Sequence, residues 1–501
     1  MNKLLIYVVT YNHEKFIKDT LERIDKKIFD IYDTEILVND DSSKDDTLKV
    51  IKDIKNNFNK KAKFTILSNP KNLGYGGNQK IGYFYSIKNN FDYVALLHGD
   101  GQYAPEFLEK LLASIKINNS KAVFGSRMIS RYGALKGGMP LYKFIGNKIL
   151  TFLQNKILGS NLSEFHSGYR IYDVKALNNI PFELNSNDFS FDTEIIIQFL
   201  ICKYKISEFS IPTFYGKEIS YVNGLHYAYR IIIESLKANI QKLGLFYEKK
   251  YDLKQDEVNY VFKKNFLSTH SLSLKKIKEN STVLDIGCNQ GDIIEYLVEK
   301  KNCKVVGIDK NETSVSPKVH EYLSCDLNKE LPNLDYNKFD YVIFLDVIEH
   351  LENPEKFLKK MYEKFSSNEK VEILISTPNI SFFIIRIMLL FGFFNYGKKG
   401  ILDKTHTRLF TFQSFKKLIE NSNFKIINTL GVPAPFPLAV GENITAKILI
   451  NLNNLAIRVW KSLFSYQIFC QIKPNKSLEL LLKKAEDNVT KTWLKQLKIQ
   501  L

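Results

Sequence analysis

Short apolar runs rich in β-branched residues alternate along the chain with longer stretches whose apolar positions recur at helical spacing. That alternation is the pattern of stacked βαβ units in an α/β protein. In the first half it predicts strands over 4–10, 35–39, 63–67, 93–97 and 122–125, helices over 14–26 and 45–57, and a closing helix over 227–243. The charged stretch 246–255 has no clear period, and a fresh α/β pattern starts beyond it, with strands predicted over 282–286, 304–308, 341–345 and 371–376. The chain is therefore expected to hold a first domain over 1–245, a linker over 246–262, and a second domain over 263–501 with a C-terminal extension. No internal repeat or low-complexity tract breaks the pattern.

A chain of 501 residues, 45% of them hydrophobic, has material for two cores. Its five cysteines are scattered without a Cys-x-x-Cys pair, which argues against a disulfide framework or a thiolate zinc site and fits a reducing cytoplasm. The opening Met1-Asn2-Lys3-Leu4-Leu5-Ile6 is too short and too polar-flanked for a signal peptide and reads as the first buried strand. No uncharged apolar run reaches bilayer length; the nearest approach, 380–394, is interrupted by Arg386. The net charge of +17 comes from diffuse lysine, with no basic-aromatic cluster or helix-turn-helix pattern, so no nucleic-acid partner is expected.

Chemistry enters through motifs at predicted strand ends. Asp40-Asp41-Ser42-Ser43-Lys44-Asp45-Asp46-Thr47 follows a strand and opens a helix, where carboxylates can accept from base N–H groups and ribose hydroxyls. Alone, it would equally serve as a helix cap. Asn72-Leu73-Gly74-Tyr75-Gly76-Gly77-Asn78-Gln79-Lys80 offers close backbone approach to a ligand at Gly76 and a positive Lys80 for phosphate. His98-Gly99-Asp100-Gly101-Gln102 ends an apolar strand with groups able to hold a divalent cation on a diphosphate. Arg127, and Arg170 in Ser167-Gly168-Tyr169-Arg170, add fixed positive charge for phosphates.

This ordered set resembles the family 2 glycosyltransferases of GT-A fold, in the dolichol-phosphate-mannosyltransferase-like branch. The resemblance implies a nucleotide-sugar site at Asp40, Asp41, Gly76, Lys80, Arg127 and Arg170, and a metal site for Mn²⁺ or Mg²⁺ at Asp100, Gln102 and His98. Two positions depart from the family pattern: Ser42 replaces the glycine after the paired aspartates, and His98 replaces the first aspartate of the metal motif. Histidine is a legitimate manganese ligand. Asp192 and Glu194 match the acidic pair at a helix start and are the candidate bases, though such a pair also complements a helix dipole.

In the second half, Val283-Leu284-Asp285-Ile286-Gly287-Cys288-Asn289-Gln290-Gly291-Asp292 reads as strand, glycine turn and helix. Asp285 is placed to meet an ammonium group, with Gly287 and Gly291 allowing close ligand approach. Asp309, at the next strand end, suits ribose hydroxyls, and Asp326 suits an adenine amino group. The glycine spacing is not that of a dinucleotide fold. These residues, with Phe339 to Leu351, resemble a Rossmann-like class I S-adenosylmethionine methyltransferase of the small-molecule branch that includes ubiquinone-biosynthesis O-methyltransferases. For the base, His406 in Asp403-Lys404-Thr405-His406-Thr407-Arg408 competes with His350, which lies with Asp346 and Glu349 one helical turn apart and could share a cation with them.

The expected protein is thus a bifunctional transferase. It would move sugar from a nucleotide-sugar donor to a glycan or polyprenyl-phosphate-type acceptor, with inversion, and would methylate a saccharide hydroxyl with S-adenosyl-L-methionine. The alternative is a degenerate glycan-binding GT-A domain tethered to an active O-methyltransferase. A cytoplasmic location is expected, with peripheral contact at the inner face of the cell membrane through the apolar stretch near Phe382 to Phe394.

Overall fold

The chain, seen as a computed structural model, is described over residues 1–58, 62–130, 132–214, 223–253, 262–310 and 321–475. Of the expected linker 246–262, residues 254–261 lie outside the described residues. The chain divides into two compact units: Met1–Asn239 with Glu248–Glu257, and Ile240–Tyr247 with Val258–Leu501.

The first unit is built on seven strands: β1 (Lys3–Thr10), β2 (Asp33–Asp40), β3 (Lys63–Ser68), β4 (Tyr93–His98), β5 (Ala122–Ser126), β6 (Arg170–Asp173) and β7 (Ile206–Ser210). They run in the order β3-β2-β1-β4-β6-β5-β7, with β6 antiparallel to both its neighbours. Period-two alternation gives β1 two buried faces: Leu4, Ile6 and Val8 enter one core and Leu5, Tyr7 and Val9 the other. Strand order reverses between β1 and β4, which opens a crevice at their carboxyl ends, where open α/β sheets bind ligands. This is a GT-A arrangement.

Two local expectations are revised here. The helix foreseen over 14–26 is confined to Ile17–Glu22, because Phe16 and Ile17 both donate their N–H groups to His13 O in a preceding turn. The glycine run at 74–77, where no helix is predicted, opens one: Gly74, at φ +81°, caps a helix that runs Tyr75–Lys88.

The second unit carries β8 (Thr282–Ile286), β9 (Lys304–Asp309), β10 (Glu321–Ser324), β11 (Tyr341–Leu345), β12 (Glu372–Pro378), β13 (Phe424–Val432) and β14 (Gln467–Pro474). The order is β10-β9-β8-β11-β12-β14-β13, with β14 antiparallel to β12 and β13, and again a reversal at β8 and β11. This is the Rossmann-like fold, and its crevice lies at the carboxyl ends of β9, β8, β11 and β12. The apolar stretch after β12 forms the helix Phe383–Leu390, which buries Ile385 and Met388 but leaves Ile387, Leu389, Leu390 and Phe391 exposed. Among the described residues, no helix is long and apolar enough to cross a membrane.

Candidate functional sites

In the first unit, the carboxyl ends of β2, β1 and β4 lie side by side, with Thr10 opposite Asp40 and Val9 opposite His98. The two aspartates at the end of β2, Asp40 and Asp41, are buried and do different things. Asp40 accepts from the Ser43 N–H at 3.2 Å and from its hydroxyl. Ser42 after them has φ +62°, so the position where the family carries glycine is a left-handed one that a serine here tolerates. Asp41 accepts from Asn69 Nδ2 at 2.7 Å and from the N–H groups of Leu73 and Gly74 at 2.9 and 3.1 Å, and so fixes the loop that opens the helix Tyr75–Lys88.

That helix gives both Gly76 and Lys80 partners within the protein. The Gly76 N–H donates to Asn187 O at 2.8 Å, and a Cβ on Gly76 would stand 2.6 Å from Ser186 O and from Phe191 Cβ. The close approach that glycine permits is therefore to the 186–191 segment. Lys80 donates to the Asn185 carbonyl and to Asn187 Oδ1, on the same segment.

Both arginines are likewise committed to protein. Arg127 pairs with the fully buried Glu164, through Nε at 3.0 Å and through Nη2, which also reaches His166 O. Arg170 is 1% exposed and donates to the carbonyls of Ser167, Phe165 and Asp192 at 2.8, 3.0 and 2.9 Å. Its contribution is to hold Asp192, whose Oδ2 lies 3.5 Å from Arg170 Nη2. Asp192 also accepts from Tyr75 OH at 3.0 Å and Gln79 Nε2 at 3.1 Å. Glu194 is buried, accepting from Ser186 N–H and paired at 3.0 Å with Lys250, which also holds Glu234 at 2.6 Å. Glu194 is thus one partner of a buried ion pair.

Of the proposed metal ligands, Asp100 sits half-buried beyond β4 and accepts the Gln102 N–H at 3.0 Å on one oxygen. The His98 ring lies between Tyr75 and Tyr103, with Nε2 3.3 Å from Tyr75 OH. Burial lowers its pKa, so the ring is neutral and keeps a lone pair. Sequence reading missed His13. Its Nδ1 is 3.2 Å from Thr10 Oγ1 and would be 3.0 Å from a Cβ on Gly99, so it stands beside the β4 motif, and burial also lowers its pKa. A histidine three residues past a strand end was the only signal for it. A half-buried carboxylate at Asp100 with the neutral His98 ring nearby is a donor set that fits a divalent cation.

In the second unit, Gly287 has φ +78°, and a Cβ there would stand 2.3 Å from Val347 Cγ2. The glycine turn after β8 therefore packs on the segment after β11. Gly291, at φ +84°, begins the helix Asp292–Lys301. Asp285 is 3% exposed, with Oδ2 lacking any hydrogen-bond partner; burial, aided by Asp309, pushes its carboxyl up to about 7. A sealed, unpaired carboxylate at this crevice fits a cationic amine. Asp309 accepts the N–H groups of Asn289 at 2.8 Å and Lys310 at 2.7 Å, which tie it to the glycine turn. Asp326 stands beyond β10, accepting from Asn328 N–H at 3.1 Å and lying 3.4 Å from Lys310 Nζ.

The two competing base assignments turn out to be one place. Glu349 O accepts the N–H groups of Thr407 and Arg408 at 2.8 and 3.2 Å, and Thr407 Oγ1 donates to Leu351 O at 2.6 Å. These bonds bring the His350 and His406 rings to a centroid separation of 4.8 Å. His350 Nδ1 lies 3.2 Å from Thr405 O, and His406 Nδ1 lies 3.0 Å from Ile401 O. Burial first, then His350, lowers the pKa of His406. Between them Glu349 is 1% exposed with neither carboxylate oxygen bonded, and burial raises its pKa well above the usual range.

The family described as glycosyl transferase family 2 matches residues 5–180, and that described as methyltransferase domain matches 258–429. The first half is 31% identical over 223 residues to the UDP-N-acetylglucosamine–dolichyl-phosphate N-acetylglucosaminyltransferase of Methanococcus voltae, covering 42% of this chain and 86% of that protein. The second is 33% identical over 99 residues to (S)-tetrahydroprotoberberine N-methyltransferase of Eschscholzia californica, covering 17% of this chain and 27% of that protein, so the chain spans about a quarter of that relative. A solved SAM-dependent methyltransferase from Archaeoglobus fulgidus is 22% identical, with 41% of this chain and 90% of that one covered at a TM-score of 0.29. The chain belongs to the family 2 glycosyltransferases and carries, after that domain, a second transferase domain, a methyltransferase.

Proposed function

We propose that the first unit transfers a sugar from a nucleotide-sugar donor to a polyprenyl-phosphate-type acceptor, with inversion, and that the second methylates a saccharide hydroxyl using S-adenosylmethionine. The observation that carries the first half is the meeting of Asp40, Thr10, His98 and Asp100 at the reversal of strand order. Asp40 faces base and ribose, and Asp100 holds the divalent cation, Mn²⁺ or Mg²⁺, that would neutralise the departing diphosphate. The state of the candidate bases supports a phosphate acceptor. Glu194 is locked to Lys250, and Asp192 already has three partners. A phosphate oxygen is anionic and needs no base, whereas a sugar hydroxyl does.

A lipid-linked acceptor also gives a use to the helix Leu141–Leu158. Its outer face exposes Leu141, Tyr142, Ile145, Ile149 and Phe152, and its charged residues are Lys143, Lys148 and Lys156, with no acid. An apolar face flanked by lysine suits the surface of an anionic membrane. The Methanococcus voltae relative is named for a dolichyl-phosphate acceptor. Together with the exposed end of the helix Phe383–Leu390, it supports peripheral contact at the inner face of the membrane.

In the second unit, Asp285 would meet the cofactor's ammonium group, Asp309 the ribose hydroxyls and Asp326 the adenine edge, while Gly287 and Gly291 leave room for its passage. The cofactor supplies a methyl group on a positively charged sulfur. The acceptor hydroxyl must lose a proton beside it, and Glu349, His350 and His406 form the polar cluster beside Val347, which packs on the glycine turn.

The test is radiolabelled sugar transfer by the purified chain, with UDP-sugars, polyprenyl phosphate and Mn²⁺, followed by S-adenosylmethionine. Metal-dependent formation of a lipid-linked product is expected. The second reading, a glycan-binding GT-A domain without transfer, draws on the engagement of His98 with Tyr75. It predicts glycan binding, and neither transfer nor metal-dependent hydrolysis of any nucleotide sugar.

A further inference from the structure

Glu349, His350 and His406 each offer a ligand atom, and these atoms all lie within 4.8 Å of one another. Among the described residues, no other three His, Cys, Asp or Glu side chains come so close. An imidazole nitrogen facing a carbonyl oxygen must carry the proton. Nδ1 of His350 lies 3.2 Å from Thr405 O and 3.1 Å from Thr405 Oγ1, whose hydroxyl donates to Asp403 Oδ1, and Nδ1 of His406 lies 3.0 Å from Ile401 O; assigning both Nδ1 atoms as donors leaves each ring's lone pair on Nε2. Donation from the far nitrogen to a backbone carbonyl is also the arrangement that orients histidines on metals. Independently, the Glu349 carboxylate is nine-tenths buried and more, and neither oxygen has a partner. Leaving such a group unmet is costly unless a cation or a donor arrives.

The two segments are fixed to each other around this cluster. Thr405 Oγ1 and its N–H both bond to Asp403 Oδ1 at 2.8 Å, the backbone of 407–408 is hydrogen-bonded to Glu349 O, and Arg408 pairs with Glu355 at 3.1 Å. The ligand atoms of a tetrahedral site are separated by about 3.4 Å, so closure around an ion requires side-chain movement of little more than ~1 Å. Two imidazoles and one carboxylate suit zinc, manganese, iron or cobalt better than magnesium or calcium.

We infer that Glu349, His350 and His406 form a binding site for one divalent transition-metal ion, with open coordination positions toward the methyl acceptor. The inference deepens the proposed methyl transfer and rests on that reading for its catalytic consequence. A cation here assists the acceptor hydroxyl in giving its proton to water. The oxygen lone pair then forms the new bond to the methyl carbon, and the electron pair of the broken carbon–sulfur bond stays with sulfur, which becomes a neutral thioether.

The experiment uses the full chain stripped with chelator and titrated with Co²⁺, whose visible absorption reports nitrogen and oxygen coordination, and with Zn²⁺ by calorimetry. One ion per chain should bind with the cobalt bands of such a site. Glu349→Gln, which keeps the shape of the side chain, and His406→Ala should each weaken it at least about 10-fold, the scale on which even outer partners of metal ligands act. Binding of S-adenosylmethionine is measured in parallel on the same samples. Equal metal affinity in the wild type and Glu349→Gln would overturn the site, and full methyl transfer in metal-free enzyme would overturn its catalytic consequence. Absent cofactor binding in a chain that still takes up cobalt at the cluster would instead overturn the methyl-transfer reading and leave the metal site standing.

Discussion

At Asp285 a carboxylate is sealed in protein with one oxygen unbonded, and its carboxyl is pushed from 3.8 to about 7. The folded chain therefore holds a proton there that the unfolded chain has released, so between pH ~4 and ~7 rising pH costs stability. A shift of this size amounts to at most about 4 kcal/mol in the ligand-free protein. Asp285→Asn removes that slope, so the variant's second unit should melt higher than wild type at pH 8, while binding the ammonium-bearing cofactor more weakly. Thermal denaturation against pH, with and without S-adenosylmethionine, checks both halves; an unchanged pH slope in the variant would refute the assignment. The positions of Asp285, Gly287 and Asp309, within a strand, in a turn and at a strand end, could be read from sequence because strand, turn and helix are local. Arg127 and Arg170 could not, since a sequence shows a positive charge but not Glu164 or the carbonyls that consume it. His350 and His406 looked like rivals for the same reason: 56 positions apart in the chain, they share a wall only through the bonds of 405–408 to the segment after β11.

The helix Phe191–Ile201 carries two buried acids two residues apart that face different partners. Asp192 points to Tyr75 and Arg170, whereas Glu194 points to Lys250, and Lys250 also holds Glu234 of the helix Gly224–Gln241. Removing one partner of a buried pair typically costs about 3–5 kcal/mol. Glu194→Ala should therefore lower the first unit's stability by roughly that amount, with nucleotide affinity kept wherever the unit is folded; urea unfolding and UDP calorimetry measure the two. On the helix Leu141–Leu158, Ile149 is 54% exposed, so Ile149→Glu removes no core packing. It should reduce flotation with anionic vesicles at low salt without altering the melting temperature, and undiminished flotation would refute a membrane role for this face. Elements with strong local periods were legible; three kinds were not. β6 is four residues long, β13 and β14 pair antiparallel at the sheet's far edge, and the helix Tyr75–Lys88 starts among glycines that usually signal a turn.

Each unit has cores of its own. Leu4, Ile6 and Val8, with Leu5, Tyr7 and Val9, anchor two clusters in the first unit, while Leu284 and Ile286, with Val283 and Ile343, anchor two in the second. Each sheet also has its own reversal of strand order, and so its own crevice. The sequence disclosed this duality because the βαβ pattern stops and restarts, and because each half brings its own ordered motif set. Substitutions confined to one crevice should then act on one chemistry alone, as mutations without shared partners usually do. Asp309 gives a direct case, because its carboxylate accepts the N–H groups of Asn289, in the turn after β8, and of Lys310, just beyond β9. Asp309→Ala takes away the acceptor proposed for the ribose hydroxyls, a loss of roughly 1–3 kcal/mol or about 5- to 150-fold in S-adenosylmethionine affinity. Methyl transfer at limiting cofactor should fall in step, while the rate of sugar transfer and its metal dependence stay at wild-type values. Undiminished cofactor affinity would remove Asp309 from the site. A matching fall in sugar transfer would mean instead that the two chemistries are coupled, so that the methylated and the transferred sugar must be handled in one sequence.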